Sequence, residues 1–201
     1  METSSNVRIL TVCTGNICRS PVAERMLQAG LDEVSAGTFR VRSAGTLAAA
    51  GAPVQLPSAR IIESHGGRPD GFAARQLTPG MLRGTDIILT MTASHRSDVV
   101  RLKPSALKRT FTIREFARLL KALEERDAGP APDADLATRW KALPERAATV
   151  RHLALVNDAA DNDVADPYRL GPEAYQRMED ELVPAVLTIL RFAHRTAPAE
   201  V

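Results

Sequence analysis

Cys13-Thr14-Gly15-Asn16-Ile17-Cys18-Arg19-Ser20-Pro21 gathers a nucleophile, a cation and a hydroxyl at a telling spacing. With two cysteines, 22 arginines and 10 serines in 201 residues, a cysteine followed six residues later by Arg-Ser arises by composition about once in 100. A thiol beside a guanidinium suggests nucleophilic attack on an anionic group, with charge neutralised by the arginine. The competing reading of Cys13 is a buried thiol at a strand end, acting only as a small hydrophobe.

The flanking sequence supplies what such chemistry needs. Val7-Arg8-Ile9-Leu10-Thr11-Val12 reads as a β-branched strand running into the cysteine. Ser20-Pro21 reads as a helix start, with Ser20 as N-cap and Pro21 at the first helical position. A loop between strand and helix start turns backbone N–H groups inward and adds the positive end of the helix dipole, a cradle for a phosphoryl group. In it Arg19 can grip two phosphate oxygens, and the positive field favours the thiolate of Cys13. Ser20 can donate to the sulfur, Gly15 is expected to relieve the curling backbone, and Asn16 to brace the loop from behind. The phosphate-binding residues are therefore Thr14, Gly15, Asn16, Ile17, Cys18, Arg19 and Ser20.

A thiolate nucleophile also needs an acid for the leaving oxygen. Asp166, in Asp163-Val164-Ala165-Asp166-Pro167-Tyr168, is the candidate, since Pro167 biases it toward an extended conformation. An Asp-Pro pair alone is usually a turn, and the reversed pairs Pro69-Asp70 and Pro132-Asp133 show how readily the composition supplies one. Asp163 is expected to be a solvated turn residue.

Further strands are expected at Phe39–Arg42, stopped by Ser43-Ala44-Gly45, at Asp86–Met91 and at Thr110–Ile113. Helices are expected from Ser58, as cap, to about His65, from Ser94 to Leu102, and from about Glu173 to Arg195. Pro184 predicts a kink or a displaced start in the last. Alternating strands and helices imply a parallel α/β sheet. The region from about 114 to 160 fits this plan poorly and reads as an insertion: charged helical segments at Arg114–Arg126, as a solvated face, and roughly Leu136–Leu155, joined by the linker-like Asp127–Asp133. Trp140 either anchors a partner or packs the insertion down.

Cys13–Pro21, with Ser43-Ala44-Gly45, Asp86–Met91 and Asp166-Pro167-Tyr168, resembles the low-molecular-weight protein tyrosine phosphatases. The resemblance implies a flavodoxin-like fold, with a four-stranded parallel sheet and helices on both faces, in one domain over 7–201. It implies a phosphatase with no metal or other cofactor: Cys13 the nucleophile, Arg19 the phosphate clamp, Asp166 the acid and then the base. It implies loop support from Asn16, Ser20 and Ser43, a substrate cleft with Tyr168, and a protective disulfide between Cys13 and Cys18; the plain reading of Cys18 is a small filler of the loop interior. The implied partner is a phosphorylated protein, with phosphate-like oxyanions as inhibitors. Family members often carry an aromatic wall after the Ser-Ala-Gly turn; here Thr46-Leu47-Ala48-Ala49 offers only Leu47 as a substitute in the cleft, and Arg169, where many members have a second aromatic, is expected to add positive charge at the cleft rim.

Four readings of function follow. Phosphotyrosine hydrolysis leads. Phosphoarginine hydrolysis is the rival: members of that class tend to carry Thr where Ile17 stands, but the missing aromatic wall weakens the preference for an aryl substrate. Arsenate reduction lacks the resolving cysteines it needs outside the loop, and a phospho-binding module has no use for the nucleophile.

Composition excludes other classes. A net charge of +2 gives no reason to propose nucleic acid as a partner, and 4% aromatic content gives no stacking platform. Two cysteines make neither a disulfide scaffold nor a four-thiolate zinc site. His65, His95, His152 and His194 show no metal-ligand spacing, and His95 reads as the neighbour of a helix cap. The start lacks a signal-peptide pattern and no apolar run is long enough for a membrane span, so a cytoplasmic protein in a reducing compartment is expected. Nothing in the sequence demands more than a monomer.

Overall fold

A computed structural model describes residues 6–126 and 134–197. Four parallel strands, β1 (Val7–Cys13), β2 (Phe39–Gly45), β3 (Ile87–Thr90) and β4 (Thr110–Thr112), lie in the order β2-β1-β3-β4. Because side chains alternate across a strand, a sheet covered on both sides needs apolar residues at successive positions. Val7, Ile9, Ile87 and Leu89 join one buried cluster, whereas Leu10, Val12 and Ile88 join another on the opposite face.

Helices α1 (Arg19–Val34), α5 (Ile113–Glu125) and α8 (Pro172–Thr196) cover the first face; α3 (Pro79–Arg83) and α4 (Ala93–Leu102) cover the second. The remaining helices are α2 (Leu56–Ser64), α6 (Leu136–Lys141) and α7 (Leu143–Thr149). Strand order reverses at β1: the connection through α1 leads to β2 on one side, and β3 pairs on the other. In open α/β sheets the carboxyl ends of strands at such a point form a crevice for ligands. Cys13 ends β1 at that point.

Several local expectations need correction. Ser43-Ala44-Gly45 does not stop β2 but completes it, because β1 offers partners as far as the pair Cys13–Gly45. Helix α1 starts at Arg19 with Cys18 as its cap, which puts Ser20 and Pro21 inside the first turn. Ser58 is not a cap either; α2 begins at Leu56 after Gln55, and Ser58 is buried within it. Ile113 opens α5 rather than ending β4.

The segment Arg114–Arg126 is half core: Phe116, Leu119, Leu120 and Leu123 are buried on the inner side of α5. Leu136–Leu155 is α6, α7 and a 3-10 turn at Arg151–Leu153, not one helix, with Pro144 near the start of α7. Trp140 packs this region down, its ring edge-on to Phe39 at 4.9 Å and to Phe192 at 6.1 Å. Helix α8 runs through Pro184 without a displaced start, and Leu187, counted on its apolar face, is largely outside the core. The linker-like Asp127–Asp133, with Pro132-Asp133, lies outside the described residues. Among the described residues no helix is long and apolar enough to cross a membrane.

Candidate active site

The loop after β1 is held from outside so that its amides can face inward. The carbonyls of Cys13, Thr14, Gly15 and Ile17 accept N–H groups from Thr46, Leu47, Ala49 and Gln55 at 2.9–3.0 Å. These bonds anchor the outer side of the loop, and on the inner side the Asn16 N–H lies 3.3 Å from Cys13 Sγ. Gly45 permits this close docking, since a Cβ there would stand 2.3 Å from the Thr14 carbonyl oxygen.

Gly15, expected to relieve the curl, is not the residue in the left-handed region. Asn16 is, with φ of 55°, and Asn is among the few side chains that tolerate that region. Its amide explains why it stays: Nδ2 donates to Ser20 Oγ at 2.9 Å and Ser43 Oγ at 2.7 Å, while Oδ1 accepts the Arg75 N–H at 2.7 Å. These donations set the direction of both hydroxyls. Ser43 donates its own hydroxyl to the buried Glu24 carboxylate, which also accepts from Arg75 Nη2 on both oxygens, at 2.9 and 2.7 Å. Ser20 is left free to donate to Cys13 Sγ, 3.0 Å away. The sulfur, 2% exposed at the cavity floor, thus faces one hydroxyl and one amide donor, an arrangement suited to an anion.

Arg19 is buried at the start of α1. Its Nη1 donates to the Val164 carbonyl at 3.2 Å and its Nη2 lies 2.5 Å from Asp166 Oδ2. Among the described residues the buried Nε–H has no acceptor, a donor that an oxyanion in the cavity would satisfy. Val164 is fixed by its N–H to the Met91 carbonyl and Ala165 by its N–H to Glu181. Asp166 itself is half-exposed, and its other oxygen accepts the Tyr168 N–H at 3.2 Å. Asp163 is no free turn residue: its carboxylate accepts the Ala93 N–H at the start of α4.

A cavity of about 220 Å³ joins these groups; it is lined by Cys13, Thr14, Gly15, Ile17, Cys18, Arg19, Asp166 and Tyr168, with Leu47, Ala48 and Ala49 at its mouth. Leu47 is 77% exposed, and no aromatic side chain comes from its loop. Arg169, expected at the cleft rim, is not among the lining residues; its guanidinium sits 5.2 Å from the Tyr168 ring centroid. A larger groove, about 850 Å³ among α1, α5 and α8, holds neither cysteine. Among the described residues no three His, Cys, Asp or Glu side chains gather as a metal site requires.

Cys18 is buried and free, with its Sγ 3.8 Å from Tyr175 Oη; burial pushes the thiol up to about 11, which keeps it protonated near neutrality.

Sequence reasoning missed three residues. Glu24 and Arg75 brace Asn16 and Ser43 across 51 residues of chain, and neither carries a local signal. His95 does more than neighbour a cap: it is 6% exposed, with Nδ1 2.7 Å from Thr92 Oγ1 and Nε2 2.9 Å from Thr14 Oγ1. Burial, then the charge of Arg19, pushes it down to about 4.

The family model for low molecular weight phosphotyrosine protein phosphatase matches residues 8–128. The low molecular weight protein-tyrosine-phosphatase Etp of Escherichia coli (strain K12) is 39% identical over 102 residues, spanning 51% of this chain and 66% of that protein. A protein-arginine-phosphatase of Geobacillus stearothermophilus is 34% identical over 109 residues, 54% of this chain and 70% of that one. The match thus spans about two thirds of these relatives' own length. Among solved structures, the Erwinia amylovora tyrosine phosphatase AmsI superposes over 95% of both chains with a TM-score of 0.64 at 25% identity. Helices α6 to α8 lie beyond the matched span yet pack on it, and the chain belongs to the low molecular weight phosphotyrosine protein phosphatase family.

Proposed function

We propose that the protein hydrolyses phosphotyrosine on protein substrates through a phosphocysteine intermediate. The observation that carries this is the convergence on one small cavity of a sulfur held by Ser20 and Asn16, a buried guanidinium with an unused donor, and a carboxyl at the rim. A binding module would need the cradle and not the nucleophile.

In the first step Cys13 Sγ attacks phosphorus in line, an S–P bond forms, and the P–O bond to the tyrosyl oxygen breaks as Asp166 gives that oxygen a proton. In the second, Asp166 takes a proton from water, whose oxygen displaces the sulfur and releases inorganic phosphate. Arg19 and the loop amides hold the remaining phosphoryl oxygens through both steps, where fixed dipoles cost no reorganisation. Without ligand, Asp166 pairs with Arg19; an incoming phosphoryl group offers Arg19 other oxygens and frees the carboxyl for proton transfer. Phosphate-like oxyanions should therefore compete with substrate. The chemistry requires a free thiol at Cys13, in keeping with a reducing compartment such as the cytoplasm.

Ile17, 6% exposed on the cavity wall, favours a flat apolar aryl group, and Tyr168 can pack against it. The second reading, phosphoarginine hydrolysis, draws on the rim of Leu47, Ala48 and Ala49, which offers no aromatic face, and on the likeness to the Geobacillus protein-arginine-phosphatase. Phosphate release from phosphotyrosyl and phosphoarginyl peptides, by wild type and Cys13→Ser, tests both. Turnover of the tyrosyl peptide that is lost in Cys13→Ser supports the first reading; turnover confined to the arginyl peptide replaces it with the second. Turnover that survives in Cys13→Ser refutes both.

A further inference from the structure

We propose that Thr14 donates its hydroxyl proton to the phosphoryl group in the cavity, and that His95 is the positioning residue that aims it. This rests on the phosphatase reading above and adds a donor beyond the loop amides and Arg19.

His95 links two hydroxyls. Its Nδ1 lies 2.7 Å from Thr92 Oγ1 and its Nε2 lies 2.9 Å from Thr14 Oγ1, 81 residues away in sequence. Its own backbone N–H also donates to Thr92 Oγ1, at 3.2 Å, as the cap of α4. Held down to about 4 by burial and by the charge of Arg19, the ring is neutral at physiological pH. A neutral imidazole donates from one nitrogen and accepts at the other, so the two hydroxyls cannot be treated alike.

The chain of donors then has two possible directions. In one, Thr92, already an acceptor for the His95 N–H, gives its proton to Nδ1; Nε2–H donates to Thr14 Oγ1, and the Thr14 proton is left over. In the other, Nδ1–H donates to Thr92, Thr14 gives its proton to Nε2, and the Thr92 proton is left over. Among the described residues Thr14 Oγ1 has no hydrogen-bond partner besides His95, and Thr14 lines the same cavity as Cys13 and Arg19. Only the first direction presents a donor to an anion in that cavity, and so an anion selects it. Thr92 thereby fixes the tautomer, His95 passes on the direction, and Thr14 makes the contact. His95 does not line the cavity, which is why its role is positioning rather than catalytic.

The test compares kcat, KM and inhibition by inorganic phosphate for wild type, Thr14→Val, Thr14→Ser, His95→Leu, His95→Gln and the double variant Thr14→Val/His95→Leu, on a phosphotyrosyl peptide. A hydrogen bond to a charged group predicts a fall in kcat/KM of about tenfold to a hundredfold in Thr14→Val, weaker phosphate inhibition, and recovery of most of the loss in Thr14→Ser. His95→Leu should show a similar fall, His95→Gln should recover part of it through a side-chain N–H, and in the Thr14→Val background His95→Leu should cost nothing further. The proposal is overturned if Thr14→Val stays within about twofold of wild type, or if the two losses multiply. Should His95→Leu fail to fold, the pair Thr14→Val and Thr14→Ser, which leaves α4 untouched, still decides. Should wild type hydrolyse no phosphopeptide, the phosphatase reading fails, while calorimetric binding of inorganic phosphate to wild type and Thr14→Val still shows whether the hydroxyl contacts an oxyanion.

Discussion

The floor and the rim of the cavity are built on opposite principles. At the floor, Cys13, Asn16, Arg19 and Ser20 are nearly fully buried, and the polar groups that shape the loop are paired with fixed donors and acceptors. At the rim, Asp166 and Tyr168 are about half-exposed and Leu47 is largely exposed. A closed network fixes geometry to a fraction of an ångström, which charge stabilisation in a transition state demands. An open rim changes its contacts without disturbing that network. Under the proposed function the floor sets the chemistry and the open rim the choice of substrate.

Variants at the floor should break function most. Cys13→Ser should abolish turnover, a loss of about a thousandfold or more, with its thermal melting close to wild type, as checked by phosphate release and circular dichroism. Asp166→Asn should lower kcat by about a hundredfold to ten-thousandfold and remove the limb of the pH–rate profile that reports the acid, with a smaller effect on KM. The polar brace beneath comes next: Ser43→Ala removes a donor from the buried Glu24 and a contact from Asn16, and should cost about 1–3 kcal/mol in denaturant unfolding.

Stability against pH gives a fourth test. His95 is held down to about 4 from an ordinary 6.5, so the unfolded chain takes up a proton first as pH falls. Its contribution is fully present above pH 6.5 and is lost progressively toward pH 4, up to about 3 kcal/mol at roughly 1.4 kcal/mol per unit. Unfolding of wild type and His95→Gln across this window should diverge as pH rises from 4; parallel curves would refute the burial of a neutral imidazole.

At the rim the effects should be smallest and confined to KM. Leu47→Trp would add an aromatic face and should lower KM for an aryl phosphate about twofold to tenfold with kcat unchanged. An equal gain for a phosphoarginyl peptide would mean that the rim does not sort the two substrates.

What the sequence showed follows the same division. The strand, the curl and the helix start lie within fifteen residues and announce themselves through local types, so Cys13, Arg19 and the parallel sheet could be read directly. Ser43-Ala44-Gly45 was misread because small polar residues signal a turn locally, whereas pairing with β1 makes them strand. Gly15 was expected to relieve the curl, but Asn16 takes the left-handed conformation, and its amide is tethered by neighbouring Ser20 and by the distant Ser43 and Arg75. Glu24, Arg75 and His95 were invisible for a related reason: Glu24 meets Arg75 across 51 residues and His95 meets Thr14 across 81, and a lone charged or imidazole side chain has no local mark of burial.

The most direct test of the central claim is to quench the Asp166→Asn variant with acid during turnover of 4-nitrophenyl phosphate, whose leaving group departs without an acid so that only the second step needs Asp166, and to map phosphorylated fragments by mass spectrometry. The account predicts one phosphoryl group, carried by the fragment that contains Cys13 and absent from Cys13→Ser. Turnover with no covalent adduct, or an adduct on any other residue, would contradict it.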